Sequence, residues 1–298
     1  MGKYLMGIIS WLPPDEKLRA ERREAHRKQI ELVRDILPDV HIRIVAQCYR
    51  EDEYIDDPNI SYRKSDTPIT MSAGRNLLLD LLYNSDFDWM ILADDDLFIY
   101  EHYDYKEFFD AMAEGRFNSE IDWILPFNPA HDGFNKYVVD DELFQTHFKF
   151  GALRIPYDFP NIQFIKNLKK YHGKTMWYDE DLCPEKELCA NEDLEFSLRM
   201  IREGFRGYVN YSIVKKDFGV WKSSIGTIEK GYSKEERKET QRIRRDHLIS
   251  MFPELYRRSN GNIVWKDFIQ RYNRSGKVLY IPRGEGKIIK DPKKQTLF

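Results

Sequence analysis

Between residues 3 and 100, short apolar runs alternate with helical stretches, and this alternation restricts the fold more than any other feature of the chain. "KYLMGIISWLP" (3–13) is apolar and β-compatible and stops at Pro13-Pro14, which predicts a buried first strand. Asp15 is placed to cap a charged helix whose later half puts Ile30, Val33 and Leu37 on one face before Pro38. "HIRIVAQCY" (41–49) reads as a second strand and "ISYRKS" (60–65) as a short third. Ser72 is the expected cap of an apolar helix running through Leu82, and a strand at Trp89 to Leu92 follows it. Such alternation builds an α/β fold with a doubly wound, mostly parallel sheet. Ligands of these sheets gather beyond the carboxyl ends of the strands.

At that end of the fourth strand stands "DWMILADDDLFIY" (88–100), in which Asp94, Asp95 and Asp96 follow four apolar residues and precede more. Acidic residues are poor strand formers and like charges this close repel, so a positive partner is expected among them. Carboxylate oxygens at a strand end suit Mg²⁺ or Mn²⁺ held together with phosphates. The competing reading is an acidic surface turn, and the apolar residues on both sides weigh against it. Two further clusters stand out. Asn191-Glu192-Asp193 opens a helix with Leu194, Leu198 and Ile201 as its buried stripe, Arg199 on it and Gly204 at its end. A carboxylate there also serves as a plain cap or dipole partner. Gly74-Arg75-Asn76 lies near the start of the helix before the aspartate strand. A guanidinium and an amide there suit an anionic or nucleotide group, and an ordinary helix terminus is the alternative.

Downstream, the pattern predicts a helix over 101–120, a strand over 122–128, another strand ending at Leu153 and a last strand in "GYVNYSIVKKDFGVW". A basic helix (233–251), a turn around Pro253 and a polar tail from 283 complete the chain. This divides it into a catalytic region, 1–220, and a basic, mainly helical C-terminal extension, 221–298, packed on it. Residues 215–298 carry 21 Lys and Arg against 10 Asp and Glu, although the whole chain has a net charge of −3. An acidic body with a basic end points to a polyanionic partner or a charged acceptor, a solvated helical face being the alternative. The three cysteines, Cys48, Cys183 and Cys189, form no Cys-x-x-Cys pair, so neither a disulfide framework nor structural zinc is expected. No segment approaches the length of a membrane span, and the N-terminus lacks a signal-peptide layout. A soluble, cytoplasmic protein with no membrane partner is expected, in the host cytoplasm if a phage encodes it.

The order of the three clusters resembles the GT-A glycosyltransferases, in particular those in which an Arg-Asn helix precedes an Asp-x-Asp strand and a Glu-Asp helix follows. The matching residues are Gly74-Arg75-Asn76, Asp94-Asp95-Asp96, and Glu192-Asp193 with Arg199 and Gly204, so that the resemblance spans roughly residues 3 to 220. It implies a nucleotide-sugar donor, most often a UDP-sugar, held by the exit of the first strand (Ser10, Trp11, Leu12), by Arg75 and Asn76, and by Asp94 and Asp95. It also implies Mn²⁺ or Mg²⁺ on Asp96 and Asp94, and Asp193 as general base with Glu192 beside it. Family members often place a histidine metal ligand after the strand that follows the Glu-Asp helix. This chain has none there, and Asp217 is the nearest substitute. Single displacement at the anomeric carbon implies inversion. The length and basic end are similar to phage-type enzymes that glycosylate hydroxymethylated pyrimidines in DNA, the TET-associated glycosyltransferases. Double-stranded DNA is then the implied acceptor, met by Lys215, Lys216, Lys222, Arg242, Arg244 and Arg245. A saccharide or glycoconjugate acceptor, a metal-dependent nucleotidyltransferase and a non-catalytic nucleic-acid-binding module are the other readings. A nucleotidyltransferase would carry a Gly-rich, basic phosphate loop after its first strand, and "SWLPPDEK" is not one.

Overall fold

A computed structural model describes residues 4–95, 97–101, 105–118, 121–127, 150–152, 162–180, 192–217, 234–252, 255–257, 263–265, 268–272 and 278–282. Four parallel strands open the chain: β1 (Tyr4–Trp11), β2 (His41–Gln47), β3 (Ile60–Ser65) and β4 (Trp89–Asp94), in the spatial order 3-2-1-4. Helix α1 (Glu16–Ile36) links β1 to β2, and α2 (Met71–Tyr83) links β3 to β4. Asp15 caps α1 as expected, its Oδ1 accepting from the Leu18 N–H at 2.8 Å. At α2 the cap is Thr70 and not Ser72: Thr70, two residues earlier, accepts from the Ala73 N–H, and Ser72 is buried inside the helix. Both residue types cap well, and the helix begins with the first of them.

After Asp95 the apolar run does not continue β4. It becomes a separate strand, β5 (Leu97–Glu101), antiparallel to β9 (Gly207–Asp217). The helix expected over 101–120 is shorter, α3 (Tyr105–Ala113), and leads to β6 (Trp123–Phe127) and β7 (Phe150–Ala152). A strand without a counterpart in the sequence reading, β8 (Ile162–Lys166), sits between β4 and β6 and runs antiparallel to both. A short helix, α4 (Leu168–His172), follows it, and α5 (Glu192–Arg202) then packs back and ends at Gly204, whose φ is +85°. The result is a nine-stranded α/β sheet in which β1–β4, β6 and β9 run parallel. Helix α6 (Lys234–Met251) opens the C-terminal extension, which continues as two antiparallel pairs: β10 (Leu255–Arg257) with β11 (Ile263–Trp265), and β12 (Phe268–Tyr272) with β13 (Val278–Pro282). Asn191, Pro253 and the tail from 283 lie outside the described residues.

Strand alternation sorts the core into two layers. Leu5 and Ile9 of β1 and Met90 and Leu92 of β4 face α2 and α5, joining Leu78, Leu82, Leu194 and Leu198. Met6, Ile8, Trp89 and Ile91 face the other way, toward Ile30 and Val33 of α1 and Phe108 and Met112 of α3. A Cβ at Gly74 would stand 3.3 Å from Ile9, so glycine there lets the first turn of α2 lie close against β1 and brings the next residue, Arg75, over the strand ends.

Candidate active site

The same alternation separates the first two aspartates. Asp94 shares the face of Met90 and Leu92 and meets α2, where its Oδ1 accepts from Arg75 Nη2 at 3.2 Å. Asp95 turns to the α1 face and is buried there, accepting from Ser10 Oγ at 2.6 Å and from Arg22 Nη2 at 2.5 Å. The positive partners expected among the aspartates are therefore present as two arginines. Asp96 lies outside the described residues.

Arg75 collects the three clusters at one point. Its Nη1 donates to Asp193 Oδ1 and to Glu192 Oε1 (3.2 Å), its Nη2 donates to Asp94, and its guanidinium lies over the Tyr178 ring at 5.1 Å from the centroid. With 3% of its surface exposed it is an interior cation, while the side chains of Asp94 and Asp193 stay 24% and 15% exposed. Burial alone would favour neutral arginine, but Asp193, Asp94 and Glu192 outweigh it and hold the guanidinium charged well above its ordinary range. One guanidinium serves three carboxylates, so its compensation is incomplete: burial pushes Asp94 above the usual carboxylate value, Arg75 pulls it back in part, and Asp95 and Glu192 add to the rise. Among the described residues, three carboxylates thus meet a single guanidinium at this point.

Asn76 faces away from this cluster. Its Nδ2 donates to the Tyr178 carbonyl (3.0 Å) and Glu180 Oε1 (2.8 Å), and its Oδ1 accepts from the Tyr178 N–H at 2.7 Å. Tyr178 stacks on Phe196 of α5, centroids 4.2 Å apart, and its hydroxyl accepts from Gln163 Nε2 at 2.6 Å. Gln163 Nε2 also reaches Asp193 Oδ1 at 3.3 Å. Arg199 is occupied with Glu195, one turn away on α5, and with the Trp177 carbonyl. At the exit of β1, Ser10 also contacts the Tyr49 hydroxyl at 2.6 Å, Leu12 is fully buried, and Trp11 is half-buried.

Two contributors escaped the sequence reading. Gln163 is a polar residue inside the short buried strand "IQFIK", and that mismatch was the available signal. On α1, the buried side chains Arg19, His26 and Gln29, with Arg22 between them, continue the face of Ile30 and Val33 toward the strand ends. Gln29 Nε2 donates to the Asp94 carbonyl at 2.6 Å, and Arg19 binds Glu53 and the carbonyls of Leu12, Pro13 and Cys48. Burial holds His26 below its ordinary pKa, with Asp95 pulling the other way. A helix read only as charged, with an apolar stripe in its later half, also acts as a polar clamp on the loops at the strand ends.

The chemistry of the donor set fits a hard divalent cation: Asp94 is a partly exposed carboxylate in a carboxylate cluster. The backbone adds to this fit, because β5 and β9 pair with Leu97 opposite Asp217, so Asp217 stands across from the residue that follows Asp96. Among the described residues no group of three His, Cys, Asp or Glu forms a metal cluster. Asp96 and the side chain of Asp217 are outside that set.

Fold and site together define an α/β protein whose carboxylate site lies at the carboxyl edge of a mostly parallel sheet. No family model matches the chain, and no curated protein matches it. Among solved structures it is similar to residues 1–349 of S. aureus TarS in complex with UDP-GlcNAc, with 14% identity and a TM-score of 0.48 over 83% of this chain and 66% of that one, just short of two thirds. The TarS complex with UDP gives 14% and 0.48 over 87% and 74%. A putative nucleotide-diphospho-sugar transferase from Desulfovibrio desulfuricans G20 gives 9% and 0.41 over 85% and 99%.

Proposed function

We propose that the chain transfers a sugar from a nucleotide sugar, with UDP-sugars as the donor class, to an acceptor hydroxyl. The observation that carries this reading is the convergence of three segments, at residues 75, 94 and 192–193, on one carboxylate-rich, partly open site at the carboxyl edge of the sheet. In the reaction, the acceptor oxygen bonds to the anomeric carbon, the bond from that carbon to the diphosphate oxygen breaks, and the hydroxyl proton passes to Asp193, with Glu192 beside it. The attack from the opposite face inverts the anomeric centre. Asp94, Asp96 and Asp217 are the residues that would hold Mn²⁺ or Mg²⁺; what the cation supplies when bound is stabilisation of the leaving diphosphate's charge. Ser10, Trp11 and Leu12 form the strand exit against which the nucleotide lies. The favoured acceptor is a 5-hydroxymethylpyrimidine, or its glycoside, in double-stranded DNA, supported by the basic C-terminal region. A saccharide acceptor is the second reading, since a carboxylate site and a hydroxyl acceptor serve it equally.

A thermal-shift screen of nucleotide sugars with and without Mn²⁺, followed by an assay for released UDP, tests the proposal. A ligand at a hundredfold excess over its Kd stabilises the native state by about 2.7 kcal/mol, which a melting curve resolves. A UDP-sugar is expected to raise Tm only with Mn²⁺ present. A chain that binds no nucleotide sugar and releases no UDP in the presence of acceptors would be a nucleic-acid-binding module or a nucleotidyltransferase, and not this enzyme.

A further inference from the structure

We infer that Arg75 is a positioning residue: anchored on Asp94, its guanidinium holds the carboxylate of Asp193 in place and contacts neither donor nor acceptor. Three observations lead to this. First, both Nη1 contacts are with the start of α5, Asp193 and Glu192, while Nη2 reaches across to Asp94 on β4, so a single planar group spans two elements that are about a hundred residues apart in sequence. Second, the underside of the guanidinium is covered by Tyr178, which is itself fixed from three sides: by Asn76 of α2 through its backbone, by Phe196 of α5 through ring stacking, and by Gln163 of β8 through its hydroxyl. Third, Gln163 Nε2 approaches the same Asp193 oxygen that Arg75 binds, so two donors from different elements define where that carboxylate sits. A residue meant to meet a mobile phosphate would present an open fork. Arg75 is almost fully buried, with its donors directed at protein carboxylates.

What the held carboxylate does for the reaction rests on the glycosyltransferase reading; that it is held does not. Placement matters because a displacement of about 1 Å at a reacting group costs about 10²-fold in rate. Lysine separates geometry from charge: it keeps a positive charge but has one compact ammonium in place of a planar fork that reaches both sides.

The test is Arg75→Lys, with calorimetry of UDP plus MnCl₂, steady-state kinetics and a crystal structure of the variant. The expected result is UDP affinity within about threefold of wild type, kcat lower by about 10²-fold, and an Asp193 carboxylate that has moved or changed rotamer. A loss of UDP affinity as large as the loss of kcat would make Arg75 a donor ligand and overturn the inference, and so would a variant with wild-type kcat. If Arg75→Lys does not fold, Gln163→Met removes the second donor while leaving Arg75; it is expected to lower kcat about tenfold at unchanged UDP affinity, and an unchanged kcat would count against the inference. If the wild-type protein turns over no nucleotide sugar, the functional reading fails on its own, and the variant's crystal structure decides: Asp193 unmoved overturns the positioning role and Asp193 displaced upholds it.

Discussion

Asp94 and Asp95 are neighbours in the chain and opposites in environment. Strand alternation sends the first into a partly exposed carboxylate cluster and the second beneath α1, where it pairs with Ser10 and with Arg22, whose side chain is 10% exposed. Equivalent substitutions should therefore fail in different ways. Asp95→Asn leaves Arg22 without its counter-charge in a dry setting, and breaking such a pair costs about 3–5 kcal/mol; the denaturation midpoint of the variant should drop accordingly, and an unchanged midpoint would remove Asp95 from the scaffold. Asp193→Asn leaves Arg75 its contacts with Glu192 and Asp94, so the fold should survive with a Tm near that of wild type. Its amide cannot take a proton, so turnover should fall by about 10²- to 10⁴-fold. Near-normal turnover would reduce Asp193 to a helix-start residue. The aspartate cluster was legible because three like charges at the end of an apolar strand repel one another and call for positive partners. Which aspartate faces which helix was not legible, since that depends on where the strand stops alternating.

At the scale of elements, the strands and helices with a clean period were readable: β3 falls on the expected residues 60–65, and α5 carries the expected stripe and glycine stop. β8 was not, because five residues containing Gln163 and Lys166 show no apolar period, and both polar residues are buried for reasons that lie on other elements. Gln163 reaches the Tyr178 hydroxyl and Asp193. Lys166 serves a junction at the far edge of the sheet, where Asp122, just before β6, lies 2.5 Å from Lys166 Nζ and 2.7 Å from His172 Nε2 of α4, and accepts from the Arg206 N–H at 2.8 Å. Burial works against the charged carboxylate, yet Lys166, the Arg206 N–H and His172 together hold Asp122 below its usual value of 3.8. A carboxyl depressed in the folded state contributes stability that is complete above its unfolded pKa and is lost as pH falls through the folded one. Asp122→Asn should thus destabilise by about 3–5 kcal/mol near neutrality, because Lys166 stays buried without its partner. Urea melts between pH 3 and 7 should show the gap between wild type and variant narrowing toward acid. A gap independent of pH would mean that the junction is held by packing and not by this charge.

For the whole molecule, helix α6 is rooted in the core of the sheet, and its described charged residues Glu235, Glu239, Arg242 and Asp246 are exposed. Leu248 and Phe252 enter the core layer that contains α5, Arg202 at the end of α5 lies over the Phe252 ring at 4.3 Å, and its Nη2 donates to the Met251 carbonyl at 3.1 Å. The helix that opens with Glu192 and Asp193 therefore ends against the last turn of α6. On the exposed side of α6, Arg242 pairs with Glu239 and Asp246. Exposed pairs of this kind are worth about 1 kcal/mol or less, so a phosphate backbone can displace them, whereas a neutral saccharide gains nothing by doing so. This difference gives the acceptor question a physical handle. If double-stranded DNA is the acceptor, wild-type binding should weaken steeply with salt, log K falling linearly with log salt at a slope of about −0.9 per phosphate neutralised. Changing Lys215, Lys216, Arg244 and Arg245 to Glu should flatten that slope while leaving UDP binding intact, since the proposed nucleotide site draws on none of these four residues. Filter retention across a salt series, run beside UDP calorimetry on the same preparations, measures both. A wild-type protein with no retention at low salt would leave the positive charge of the extension without a nucleic-acid role and make a saccharide the better acceptor.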